Sequence, residues 1–167
     1  MRLLVHCLCK ARFASPDLDL LGIGAARYGG RWNSAAEVRD RRLIYTSSQL
    51  ALACLEVLVH TGGVGLRSEP HVRLTFELDL GEIQELPLAQ VGSDWRSFSE
   101  TPQSQGVGDA WYDGQTSSVL RVPSTVMPDE LYSTEVSNYL IHARHPHVAQ
   151  AVRLVDTVPF LVDDQLR

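Results

Sequence analysis

The stretch from 49 to 60, QLALACLEVLVH, constrains this chain more than any other. Ser47 or Ser48 can N-cap a helix here, Ala and Leu fill it, and Gly62-Gly63 stops it. A helix apolar on most of its faces is expected to be largely buried. Glu56 stands within it, after Leu52-Ala53-Cys54-Leu55 and before Val57-Leu58-Val59. An isolated carboxylate in such surroundings is costly unless it is paired, hydrogen-bonded or protonated. Two readings stand open: a narrow polar stripe shared with Gln49 and His60, or a functional carboxylate.

Around this helix the pattern is mixed. Residues 2–9 form an apolar run suited to a buried strand, 42–46 a short second strand, and 71–78 an alternating half-buried strand. Residues 118–122 and 151–155 read as further strands, the former broken by Pro123. Between the first two strands lies a loop with Pro16, Asp17, Asp19, Gly22 and Gly24. The stretch from about 92 to 117 is polar, with Trp95, Phe98, Trp111 and Tyr112 as anchors, and reads as a long irregular segment of the kind that forms lids. A chain of 167 residues without repeats or linkers suits one domain, 1–167, of the α+β class.

Charge and composition narrow the function. A formal net charge of -5 and a pI near 5.6 argue against nucleic acid as a direct partner, though not against a local basic pocket for a small anion. No run approaches the roughly 20 apolar residues of a membrane span. The opening MRLLVHCLCKARF reads as a strand rather than a signal peptide. Cys7, Cys9 and Cys54 make no disulfide framework, which fits a reducing, cytoplasmic setting.

Several residues could carry chemistry. Arg31 follows Gly29-Gly30, where the backbone can approach a ligand closely and a guanidinium can fork onto a phosphate; a solvated turn is the bland alternative. Arg12 after the first strand and Arg27 before Arg31 are each either anion ligands or surface charges. Tyr45 can stack on a flat ring or belong to the core. Ser124, in Val-Pro-Ser, can hold a ribose hydroxyl or phosphate, or simply make a turn. No metal site is expected: Cys7 and Cys9 share a strand face opposite His6, and His142, His145 and His147 are interrupted by Pro146. Neither is a serine hydrolase, because no G-x-S-x-G elbow occurs.

Taken in order, Arg12-Phe13, Ala26-Arg27-Tyr28-Gly29-Gly30-Arg31-Trp32-Asn33, Ile44-Tyr45-Thr46 and Leu55-Glu56-Val57-Leu58-Val59-His60 resemble the RES domain. The likeness continues through Gly108-Asp109-Ala110-Trp111, Leu120-Arg121-Val122-Pro123-Ser124, Asn138-Tyr139-Leu140 and His145-Pro146. It spans nearly the whole chain. Where the family often has Asn-Pro ahead of its His-Pro, this sequence has His142-Ala143.

The resemblance implies an ADP-ribosyltransferase-like mixed β core with flanking helices. It also implies a bacterial toxin that degrades NAD by hydrolysis or phosphorolysis and is held by a cognate helix-turn-helix antitoxin. NAD would be a substrate, with no further cofactor. Arg12, Arg31, Tyr45 and Glu56 would form the active site, with Ser124 as a further member. Glu56 would stabilise the positive charge that builds on the ribose as nicotinamide leaves. The arginines would grip the diphosphate and Tyr45 would stack on or orient the nicotinamide. The alternatives are transfer of ADP-ribose to a host-cell protein, and a non-catalytic module that only binds a partner.

Overall fold

The computed structural model describes residues 1–37, 39–62 and 65–161. Strand β1 (Arg2–Lys10) runs into two short helices, α1 (Leu18–Leu21) and α2 (Ile23–Tyr28). Strand β2 (Leu43–Ser47) leads to α3 (Leu50–His60), α4 (Gly65–Ser68), β3 (His71–Asp79) and β4 (Ile83–Glu85). Next come α5 (Pro102–Gly114), β5 (Val119–Val122), β6 (Asn138–His142), α6 (Val148–Ala151) and β7 (Val152–Phe160). The strands make one seven-stranded sheet in the order β4-β5-β6-β2-β1-β3-β7. It is mixed, because β4 pairs parallel with β5 while the other pairs are antiparallel. The α+β expectation holds.

Alternation along the strands separates two cores, as a period of two requires. In β6, Tyr139 and Ile141 join Val5, Leu74, Phe76 and Leu78 on one face. Leu140 between them joins Trp32, Leu43, Trp95, Trp111 and Leu120 on the other. Cys7 and Cys9 pack beside the first core, and burial pushes their thiols up to about 12 and about 11.

Several expectations need correction. Helix α3 is present, but only one side of it is covered: Leu52 and Ala53 are buried, whereas Leu55 is 41% and Val59 49% exposed. It rests on β1 and β2, and its outer apolar side faces solvent. Neither serine caps it. Gln49 is the N-cap and makes no side-chain cap bond, while Ser48 Oγ donates to Glu135 O at 2.7 Å. The hydroxyl is drawn off by the segment ahead of β6. At the other end Thr61 closes the helix onto Val57 O and Gly62 turns left-handed at φ +60°; Gly63 lies outside the described residues.

The polar stretch is not irregular throughout. Its second half is α5, opened by a capping box in which Thr101 and Ser104 each bond the other's backbone N–H, with Pro102 in the first turn. Trp95, Trp111 and Tyr112 are buried as anchors, but Phe98 is 95% exposed and anchors nothing. The glycines that disguise α5 include one with a packing role: a Cβ on Gly108 would stand 1.8 Å from Trp32 O. The loop with Pro16 and Gly24 contains α1 and α2, and β4 and β6 are strands beyond those anticipated. The last strand runs on to Phe160, with Pro159 on the sheet's outer strand, where no inner ladder bond is lost.

Histidines at the end of β6 and just after it brace α5. His142 stacks on Tyr112 at 3.6 Å between ring centres, and its Nε2 lies 3.2 Å from Tyr112 O. His145 Nε2 lies 3.1 Å from Gln115 O. A carbonyl only accepts, so both nitrogens carry hydrogen and donate to carbonyls at the helix end, where Tyr112 O also accepts from Gln115 N at 3.3 Å.

Candidate active site

A cavity of about 510 Å³ opens over the junction of β1 and β2, walled by α3 on one side and by the Gly29–Arg31 segment on the other. Glu56, Tyr45, Arg31, Asn138, His60 and Lys10 are among the residues that line it. A second hollow, about 560 Å³, lies by β4 and the turn after α5. It is lined by His145, which is bonded to the buried Ser118 at 2.9 Å and lies 3.1 Å from Gln115 O, and by Glu82 and His147, and among the described residues it shares no lining residue with the first cavity.

Glu56 reaches the cavity because α3 turns that face toward the sheet. Its Oε1 accepts from Ser124 Oγ at 2.7 Å and from Asn138 Nδ2 at 2.5 Å, and its Oε2 lies 3.1 Å from His60 Nε2. Burial alone would raise its pKa. The hydrogen bonds from His60, Ser124 and Asn138 outweigh that and hold the carboxyl below the usual carboxylate range. It is therefore a charged group, largely withdrawn from water at 15% side-chain exposure, and held at both oxygens. Of the polar stripe, His60 is its i+4 neighbour and its partner, whereas Gln49 Nε2 donates to Glu135 O at 3.1 Å. Asn138 is itself fixed, since Ser47 Oγ donates to its Oδ1 at 2.7 Å.

Tyr45 lines the same cavity and organises the segment opposite. Its hydroxyl donates to Asn33 Oδ1 at 2.7 Å and accepts from Trp32 N at 3.1 Å; burial pushes its pKa well up. The paired glycines now have a physical cause. Gly29 sits at φ +73°, and a Cβ on Gly30 would lie 2.7 Å from the Tyr45 hydroxyl.

Arg31 is not a solvated turn residue. It is 7% exposed, and its guanidinium donates to Trp95 O at 2.5 Å and Ser97 O at 2.9 Å. Its Nε is buried with no hydrogen-bond partner among the described residues. An unsatisfied donor on a cavity-lining cation invites an anion or a carbonyl.

Arg12 lies elsewhere. Its side chain is 63% exposed, shares Glu69 with Lys10, and covers the Phe13 ring. Lys10 lines the cavity and Arg12 does not, because β1 alternates and the chain turns away into a 3-10 segment at Ala11–Phe13. Arg27, at the exposed end of α2, lies beside the Tyr28 ring and is also outside the lining. Ser124 meets the site through Glu56 rather than by lining the cavity. Sequence reasoning passed over Lys10 and Asn138. Lys10 follows the alternation of β1 from His6 through Leu8; Asn138 stands in a segment that carries the family likeness, but nothing local to it marks a contact with Glu56, 82 residues away.

An α+β domain that gathers a largely buried carboxylate, an aromatic ring and a cation around one cavity has the features of a small-molecule binding or catalytic site. The RES domain family model matches residues 5–163, and the chain belongs to this family. It is 31% identical over 146 residues to a protein named Toxin Res from Yersinia enterocolitica, covering 87% of this chain and 89% of that one. It is 33% identical over 134 residues to a Prs ADP-ribosylating toxin from Sphingobium sp., covering 77% and 74%. A Toxin Res from Photorhabdus laumondii is 28% identical over 145 residues, covering 87% and 86%.

Proposed function

We infer that this protein is a toxin that consumes NAD by breaking its nicotinamide–ribose bond. The observation that carries the reading is the Glu56 carboxylate, fixed and charged in the cavity that Tyr45 and Arg31 also line. As the bond from the ribose C1′ to the ring nitrogen breaks, its electron pair leaves with neutral nicotinamide and positive charge spreads over the ribose. A preorganised carboxylate stabilises that charge far better in a dry cavity than water does. No strong acid is needed. Tyr45 presents its ring to the nicotinamide, and the Arg31 Nε–H and Lys10 ammonium serve the diphosphate. Lys10 would do so by releasing Glu69, and Arg12, which shares that carboxylate, lies outside the cavity lining. Water, phosphate or a side chain then bonds the same carbon.

Purified protein incubated with NAD, with and without phosphate, is expected to release nicotinamide, read by mass spectrometry. Glu56→Gln keeps the fold and loses about 10²–10³-fold in kcat. Intact NAD after prolonged incubation of folded protein in both buffers rejects the reading. Transfer of ADP-ribose to a protein is the second reading, favoured by the 33% identity to a toxin named for ADP-ribosylation; a discrete labelled band in bacterial lysate given labelled NAD distinguishes it. Growth arrest on expression, relieved by a neighbouring helix-turn-helix protein, would place the chain in a toxin–antitoxin pair.

A further inference from the structure

Glu56 has one partner whose charge can change near neutral pH. His60 Nε2 lies 3.1 Å from Glu56 Oε2, one helical turn along α3. Because a carboxylate only accepts, Nε2 carries the hydrogen, and the contact exists whether the ring is neutral or protonated. What protonation alters is the field. With neutral His60 the carboxylate's full charge faces the cavity, whereas imidazolium makes an ion pair whose net charge is zero. We propose that His60 is a positioning residue for Glu56 and that protonation of His60 switches turnover off on the acid side. The activity part of this rests on the NAD-cleaving reading; the pairing part stands by itself.

The other charged groups facing this pair leave His60 as the responsive one. Arg31 lies on the opposite wall and opposes protonation of His60, while Glu100, ahead of α5, favours it. Those effects are smaller than the bond to Glu56, which raises the His60 pKa above its ordinary 6.5 despite burial. From β1 come His6, which burial and Arg73 hold neutral, Cys7, whose thiol is pushed up to about 12, and Lys10, paired with Glu69. From β2 comes Tyr45, its hydroxyl pushed well up. From β3 comes His71, whose Nδ1 is tied to Glu69 O at 2.8 Å. None of these touches Glu56, and among the described residues only His60 joins it as a titrating partner.

The sign follows directly. His60 is neutral above its raised pKa, where Glu56 acts at full strength. As pH falls through that value, the ion pair forms and turnover declines, although Glu56 itself stays ionised. In His60→Gln the side-chain amide can still donate to Oε2 but carries no charge, so decline should await protonation of Glu56. The acid limb should then move downward, from above 6.5 toward the carboxylate range. Loss of the tighter imidazole contact is expected to lower the plateau by no more than about tenfold.

The test combines a pH–rate profile of NAD loss for wild type and His60→Gln with an NMR titration of the His60 ring in wild type and Glu56→Gln. The expected result is an acid limb displaced downward in His60→Gln and a His60 midpoint that drops toward 6.5 in Glu56→Gln. An unmoved acid limb, or a folded His60→Gln protein inactive at every pH, overturns the switch. A His60 midpoint indifferent to Glu56→Gln overturns the pairing. If wild type spares NAD altogether, the cleavage reading fails, and the NMR titration still judges the pair.

Discussion

At the scale of single residues, the cavity owes its character to hydrogen bonds that hold one charge still. Ser124 and Asn138 both donate to the same Glu56 oxygen, and a hydrogen bond to a charged group contributes about 1.5–3 kcal/mol. If that fixed orientation matters in the transition state, Asn138→Ala and Ser124→Ala should each lower kcat about ten- to a hundredfold with little change in KM. Steady-state kinetics of both variants checks this; a rise in KM at constant kcat would make them ground-state ligands instead. The cations divide differently. Lys10 lines the cavity while Arg12 is exposed on the far side of Glu69. Lys10→Ala is expected to raise KM for NAD by about tenfold, and Arg12→Ala by less than about threefold, since an exposed ion pair contributes little. The reverse order would restore Arg12 as the diphosphate ligand that the sequence suggested.

At the scale of elements, what was legible depended on how locally each signal was written. Helix α3 announced itself through its Ala and Leu content, and β1 and β3 through apolar runs and alternation, because these patterns need no partner to be seen. Helix α5 did not. Its three glycines and polar surface resemble a loop, and only the Thr101–Ser104 box and the fit of Gly108 against Trp32 explain why it is helical. The candidate site divided the same way. Glu56, Tyr45 and Arg31, singled out from local motifs, line one cavity, whereas the Asn138 contact required the pairing of β2 with β6, which no local pattern encodes. Gly108 turns this into a measurement. Alanine is favoured over glycine inside a helix by about 1 kcal/mol, yet a Cβ 1.8 Å from Trp32 O forces the helix and the Trp32 segment apart. Gly108→Ala should therefore destabilise by about 2–4 kcal/mol in urea unfolding. A stabilised variant would mean the contact is loose enough to relax.

At the scale of the whole molecule, sheet order is what assembles the site, since β2 and β6 lie between β5 and β1 and bring positions 56, 124 and 138 together. The same order buries His142 at the opposite end of β6 from Asn138, where it is 1% exposed, with Nε2 toward Tyr112 O and Nδ1 accepting from Arg144 N at 3.2 Å. A proton on Nδ1 would meet that N–H head-on, and burial penalises the charge further. Desolvation comes first among the causes that lower the His142 pKa from 6.5 to about 4, with His145 adding to it. The unfolded chain then binds a proton at a pH where the folded chain does not, so stability rises with pH across this range. Its contribution is complete above 6.5 and is lost as pH falls toward about 4, up to roughly 3 kcal/mol in all. Unfolding free energies measured by urea between pH 7.5 and 4.5 should show this slope in wild type. His142→Gln should be less stable at pH 7.5, having lost the stack on Tyr112, but should depend less steeply on pH. Equal slopes in the two proteins would show that the acid sensitivity of the fold arises elsewhere. The loss of stability begins below 6.5 and the proposed loss of turnover above it, so lowering the pH should silence the Glu56 site while the fold is still intact.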